Sequence, residues 1–309
     1  MTTELIPQHG AAFGCVILTY GSADPSPLVR AVEAAGFNKD GVVVVHNPSP
    51  KNPEPARAEV LPRLVVCPTN GGYGAGMNAG IAELRDMRCR FYLLITAGVE
   101  LDPIGLKAAT EKLESDIGVL GPVLRDPRAG NVISSGGRLS RTFRPTHRTS
   151  SSSVTGVADV DWVDGAALFV NSNLVPLPEE YFLYWEDVAL SLKARQHGLR
   201  RCVVEGWEVL TEPGANNRPD VFRYLYWRNR IHCSRTYGSW FAKVATLLAW
   251  AAAVAARPAR TLANGSPVGA ARTAGILVLA GWDAARKNLG PPGPYVLRGS
   301  DVALEYPSP

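Results

Sequence analysis

The sequence predicts a doubly wound α/β domain with a mostly parallel sheet, continued by a helical C-terminal extension. Three observations carry this expectation: near-continuous β-branched runs, helical stretches alternating with them, and a Gly-rich turn that follows one such run. Apolar runs without polar alternation suit strands covered on both faces. Strands alternating with helices suit a doubly wound sheet.

The elements follow in order. CVILTY (15–20) reads as the first strand, LVRAVEAAG (28–36) as a helix and VVVVHN (42–47) as the second strand. LVVCPTN (64–70) repeats the strand pattern, and after the Gly-rich turn a helix runs through 77–88 into the strand FYLLITAG (91–98). From 117 to about 153, short strands mix with Gly, Pro and Ser, and SSSSV (150–154) is the expected mobile loop. DWVDGAALFV (161–170) reads as another strand, YFLYWEDVALSLKARQHGLR (181–200) as a strand end entering a helix, and CVVEGWEVL (202–210) as a further strand. Helices fill most of the remainder to 291. No repeat at a fixed period is present. The division expected is a domain over 1–235 and a helical extension over 236–309.

With 309 residues, 46% hydrophobic and 19% charged, the chain has the composition of an ordinary globular protein with a sizeable core. A net charge of +4 suits anionic substrates such as nucleotide diphosphates, while the scattered Lys and Arg form no nucleic-acid stripe. The five cysteines, Cys15, Cys67, Cys89, Cys202 and Cys233, are widely spaced and lack zinc-like pairing. They read as buried thiols in a reducing compartment. MTTELIPQHG has no basic segment followed by an apolar stretch, so the expectation is no signal peptide and a cytoplasmic location.

The apolar stretch over 240–260 contains Lys243 and reads as weaker than the ~20 apolar residues of a membrane span. Two fates remain open for it. Trp240, Trp250, Arg257 and Arg260 would suit a helix lying on the anionic inner face of a membrane. The Ala-rich composition favours packing on the domain or a homodimer.

Ligands of open α/β sheets bind beyond the carboxyl ends of strands. Those ends are Thr19-Tyr20, His46-Asn47, the turn NGGYGAGMNAG (70–80), Thr96-Ala97-Gly98 and Asp164-Gly165. The turn has five glycines among eleven residues, which lets the backbone approach a phosphate or sugar and opens a helix whose start attracts negative charge. It follows the third strand and no Lys-Ser/Thr succeeds it, so neither a dinucleotide fingerprint nor a P-loop is supported. Glu186 and Asp187 follow an aromatic run. Taken alone, the pair either caps a helix start or performs chemistry.

In this order the segments resemble family 2 glycosyltransferases, most closely the rhamnosyltransferase-like branch that decorates polysaccharides and natural products. The resemblance covers residues 14 to about 235. VILTYG matches the family's first strand end, so the resemblance implies that Thr19 and Tyr20 line the nucleobase pocket. His46 and Asn47 stand where an aspartate-asparagine pair grips the nucleoside. Asn70, Gly72, Gly76, Asn78 and Gly80 match the turn under the donor, and Gly98 stands at its diphosphate end. Trp162, Val163, Asp164 and Gly165 resemble the W-V-x-G wall of the acceptor pocket, FLYWED the catalytic element with Trp185 and Glu186 on the acceptor side, and Arg228-Asn229 the C-terminal signature.

The resemblance implies a GT-A-like fold and inverting transfer of a hexose or deoxyhexose from a nucleotide-diphosphate donor to a hydroxyl on a polysaccharide, glycolipid or natural product. Asp187 would be the base, and Glu186 would bond the acceptor or hold the helix start. Three departures touch the donor end. Thr96-Ala97-Gly98 replaces the metal-binding D-x-D, TEPGAN (211–216) lacks the family histidine, and His46 replaces an aspartate. No cofactor is therefore firm, and a Mg²⁺ or Mn²⁺ site would need Glu100 or Asp102 as displaced ligands. The implied alternatives are a metal-independent transferase in which Arg228 or Arg230, with the signature favouring Arg228, offsets the leaving diphosphate, and a catalytically inactive nucleotide- or glycan-binding protein.

Overall fold

The computed structural model describes residues 13–49, 52–55, 62–150, 156–212 and 219–297. The N-terminal decapeptide, most of the expected loop at 150–154 and most of TEPGAN lie outside the described residues.

Twelve strands and eight α-helices follow one another in the described chain. The strands are β1 (Phe13–Tyr20), β2 (Val42–Asn47), β3 (Leu64–Val66), β4 (Phe91–Thr96), β5 (Val99–Leu101), β6 (Ile117–Arg125), β7 (Val132–Ser134), β8 (Gly137–Leu139), β9 (Pro145–His147), β10 (Val157–Asp159), β11 (Ala167–Asn171) and β12 (Arg200–Thr211). The helices are α1 (Ser26–Ala34), α2 (Gly72–Glu83), α3 (Pro103–Thr110), α4 (Glu186–Gln196), α5 (Pro219–Tyr237), α6 (Trp240–Ala263), α7 (Pro267–Arg286) and α8 (Pro294–Leu297).

The main sheet runs β10-β12-β6-β11-β4-β1-β2-β3, with β5 on β12 and β7 on β6. Six of those eight strands point one way; β11 lies reversed between β4 and β6, and β10 is reversed at the edge. The doubly wound, mostly parallel expectation holds. Some elements differ from expectation: the strand read over 64–70 ends at Val66, the strand read over 161–170 begins only at Ala167, and 181–185 form no strand before α4.

Alternation along each strand divides the core between two faces. Cys15, Ile17, Val42 and Val44 face α1 and α3, where Leu28, Val32 and Leu106 pack. Val16, Leu18, Val43 and Val45 face α2 and α4, against Met77, Ile81 and Leu190. Both faces are covered, which is why these strands carry no polar alternation.

Helices α5, α7 and α8 share a further cluster built on Tyr224, Leu225, Ile276, Leu277 and Val296. Tyr224 donates to Asp283 Oδ2 at 2.6 Å, and Trp250 Nε1 of α6 donates to the Leu277 carbonyl at 2.8 Å. Helix α6 is long and apolar enough to cross a membrane by length and composition, despite Lys243. Only Ala242 and Thr246 of α6 are buried, and Trp240 and Leu248 are 78% and 66% exposed. One side of α6 thus packs on α7, and the opposite side is an open apolar stripe.

Candidate active site

The carboxyl ends of β1, β2 and β4 open into a cavity of about 370 Å³. Thr19, Tyr20, Asn47, Asn70, Gly72, Tyr73, Thr96 and Ala97 border it, with Phe182 and Leu183 across from them. No charged residue lines it among the described residues.

The Gly-rich turn shapes one wall. Asn70 Oδ1 accepts from the Gly72 amide at 2.9 Å, and Asn47 Nδ2 donates to the Gly72 carbonyl at 2.9 Å. Gly72 has φ +89°, and a Cβ there would fall onto the Phe182 carbonyl. The backbone needs glycine at that point twice over, for its left-handed conformation and for the close approach. Asn47 Oδ1 is buried without a partner beside this wall.

Across the cavity, Phe182, Tyr184 and Trp185 have φ of +64°, +64° and +76°. Left-handed backbone at three bulky residues is strained and persists only where surroundings hold it. The surroundings here are specific. Asn229 Nδ2 reaches the carbonyls of Tyr181, Leu183 and Tyr184 at 2.9, 3.0 and 2.7 Å, and Arg228 Nη2 donates to Tyr181 at 3.1 Å. The Tyr73 amide donates to the Phe182 carbonyl at 2.9 Å. The loop so held delivers Glu186 and Asp187 to the first turn of α4, whose N-terminus no side chain caps.

Asp187 lies against Gly165, where a Cβ would stand 3.5 Å from that of Asp187 and 3.6 Å from the Tyr73 ring. The Asp187 Oδ1 accepts from the Val188 amide at 2.7 Å. Burial and then the Asp164 charge raise its pKa from 3.8 to about 6, while the amides of Val188 and Gly165 and the charge of His147 oppose the rise. Burial and then Asp187 raise Glu186 further, from 4.5 to about 8. Adjacent recessed carboxyls cannot both ionise cheaply, so the pair shares one proton well above the usual carboxylate range.

Three further groups converge here that the sequence reading did not single out. His147 Nδ1 lies 3.3 Å from Asp164 Oδ1, and Ser134 donates to Asp164 Oδ2 at 2.5 Å. The Asp164 bond raises the His147 pKa above its usual value, against desolvation. The Tyr73 hydroxyl is buried without a partner, and its pKa is pushed well up by burial and by Glu186 and Asp187. His147 was hidden because it belongs to the β8–β9 hairpin, which only tertiary packing lays beside Asp164. Tyr73 stood inside the Gly-rich turn, where its neighbours drew attention to the glycines alone.

Several expected ligand contacts are corrected. His46 is wholly buried behind Thr19, with Nδ1 3.3 Å from Thr19 Oγ1, and burial lowers its pKa. Thr19 Oγ1 also donates to the Val45 carbonyl at 3.2 Å. Gly76 and Gly80 give α2 its close approach to β1, since a Cβ at either would meet Leu18 or Val16. Asn78 donates to the Leu177 carbonyl and accepts from the Leu177 amide at 3.0 and 2.8 Å, so it clamps that segment outside the cavity. Gly98, at φ +95°, forms the exposed β4–β5 turn beside the cavity, not its lining.

Trp162 and Trp185 are each 4% exposed and pack in one cluster with Phe143 and Tyr181, which removes both rings from an open acceptor wall. Trp162 nonetheless backs His147, ring centroids 4.9 Å apart. The largest correction concerns Arg228. It is fully buried, donates to Gly290 and Tyr181 carbonyls and to Asn229 Oδ1, and lies over the Tyr224 ring. It holds the strained loop and does not border the cavity. Asp102 is also committed elsewhere, accepting from the Ile104 and Gly105 amides as the N-cap of α3. Among the described residues no group of three His, Cys, Asp or Glu side chains could hold a metal ion.

No family model matches this sequence, and no curated protein sequence does. Among solved structures, Staphylococcus aureus TarS (residues 1–349, in complex with UDP) is similar over 74% of this chain and 68% of its own, at 14% identity and TM-score 0.47. GalNAc-T7 with UDP, GalNAc and Mn²⁺ is similar over 73% of this chain and 53% of its own, at 12% identity and TM-score 0.47. A longer TarS structure gives 16% identity and TM-score 0.44, with this chain spanning 39% of its length. Likenesses this distant carry no inference about individual residues.

Proposed function

We propose that the protein is an inverting, nucleotide-sugar-dependent glycosyltransferase of GT-A-like fold that transfers a hexose or deoxyhexose to a hydroxyl acceptor. One observation carries this reading: an uncharged cavity at the carboxyl edge of the sheet meets, through Tyr73 and Gly165, a carboxyl pair held on a strained loop with one member ionised. Cavities of roughly this size hold small organic ligands and nucleotides.

In this reading Asp187 takes the proton of the acceptor hydroxyl while that oxygen bonds the anomeric carbon. The bond from that carbon to the diphosphate oxygen breaks on the opposite face, and the diphosphate leaves with the electron pair. Glu186, protonated, donates a hydrogen bond to the acceptor. His147, held by Asp164, keeps a positive charge near Asp187 and favours its ionised form. Thr19, Tyr20 and Asn47 border the nucleoside end of the cavity. The start of α2, with the positive end of its dipole, borders the cavity and favours the diphosphate in place of the arginine expected from sequence, while its Gly72 and Tyr73 amides are taken by Asn70 and the Phe182 carbonyl.

The transfer is metal-independent in this reading, since Thr96-Ala97-Gly98 offers no carboxylate and Asp102 caps a helix. The test is a thermal-shift screen over UDP-, GDP- and dTDP-sugars, followed by nucleotide release with and without acceptor hydroxyls. Donor-dependent stabilisation with acceptor-stimulated release is expected. Stabilisation without release under any acceptor would assign the fold to a noncatalytic nucleotide or glycan binder.

A further inference from the structure

We propose that the groove between α5, α6 and the β8–β9 hairpin binds a phosphate-bearing ligand. The groove encloses about 590 Å³, and four guanidinium groups line it: Arg144 from the hairpin loop, Arg223 and Arg230 from α5, and Arg257 from α6. No carboxylate lines it among the described residues.

Arg230 makes this a built site. It is only 4% exposed, donates through Nη2 to the Thr142 carbonyl at 2.9 Å, and lies 4.8 Å above the Trp227 ring. Its Nε is buried with no partner, and burial depresses its pKa. A buried guanidinium without a carboxylate is costly unless an anion completes it. Arg144 and Arg257 are exposed and pair with no carboxylate among the described residues. Arg223 is neutralised by Asp220 at 2.6 Å.

Several forked donors around one space suit the tetrahedral, multiply charged oxygens of phosphate better than a single planar carboxylate. Phe222 and Tyr226 add aromatic surface for the body of the ligand. The same two rings pack on the strained loop, Phe222 on Tyr184 with centroids 5.1 Å apart and Tyr226 on Trp185 at 5.9 Å. Ring contacts thus join the groove to the loop that carries Glu186 and Asp187. The binding site stands whether or not those carboxyls perform glycosyl transfer.

Two sources could present such a group: a soluble phosphate-bearing molecule, or a lipid headgroup reached through the open apolar side of α6. The experiment titrates the full chain with inorganic pyrophosphate, followed by intrinsic Trp fluorescence, in wild type and in the double variant Arg144→Gln/Arg257→Gln. Both side chains are exposed, so the variant keeps the fold, which circular dichroism checks. Saturable binding weakened at least about tenfold in the variant, the loss of one charge-assisted contact, is expected. Absence of saturable binding, or equal affinity in the variant, overturns the proposal; the latter is what capture at the cavity beside Thr19 would give. Flotation with phosphatidylglycerol vesicles separates the sources. Flotation that pyrophosphate competes and the variant loses supports the headgroup. Pyrophosphate binding without flotation supports the soluble ligand.

Discussion

Replacing Asp187 with Asn tests the carboxyl pair from two directions at once. The amide keeps size and shape, and its oxygen can still accept from the Val188 amide. What it removes is an ionisable group whose pKa rises from 3.8 to about 6 on folding. A carboxyl raised in the fold contributes its full stability below the unfolded value and loses it as pH climbs through the folded one. Wild-type stability should therefore fall between about pH 4 and pH 7, by at most about 3 kcal/mol from the size of the shift. The variant lacks this loss, and Glu186, freed from its charged neighbour, titrates at lower pH. Urea denaturation at pH 4.5 and pH 8 should show equal stability at the lower pH and a more stable variant at the higher. Nucleotide release by the same variant should drop about 10²–10⁴-fold, the contribution of a general base. A stability difference that ignores pH, or turnover near wild type, would refute the assignment.

Three other outcomes follow from the geometry. His147→Gln should move the acidic limb of the rate profile to higher pH, because the imidazolium charge lowers the Asp187 pKa; an unmoved limb would separate His147 from the base. Arg228→Ala should lower stability by roughly 3 kcal/mol in denaturant titrations, since the Gly290 carbonyl and the Asn229 amide oxygen lose this donor and the Tyr181 carbonyl loses one of two, while folded molecules still bind the nucleotide-sugar. Turnover should persist in EDTA; full loss restored by Mn²⁺ would show that Glu100, exposed on β5, or another carboxylate belongs to a metal site.

The architecture was legible because burial on both faces writes itself into a strand as an unbroken apolar run, as at 42–45. Position at a carboxyl edge was equally readable, and it brought Thr19, Tyr20, Asn47, Asn70 and Thr96 to attention before any coordinates. Side-chain direction was not. His46 and Asn47 are neighbours in sequence, yet strand alternation turns one behind Thr19 and the other toward α2. Asn78 matched a motif position while its amide bonded Leu177, nearly a hundred residues away.

Sequence by itself determined the alternation of strands and helices and the adjacency of Glu186 to Asp187, because each depends on residues near one another along the chain. Tertiary structure alone decided that Arg228 and Asn229 brace the loop before those carboxyls, and that His147 and Ser134 meet Asp164. It also decided that both carboxyls are raised above their usual range. Burial and the field of distant charges set a pKa, and neither is a property of neighbouring letters: Asp164 and His147 reach Asp187 from other segments of the fold.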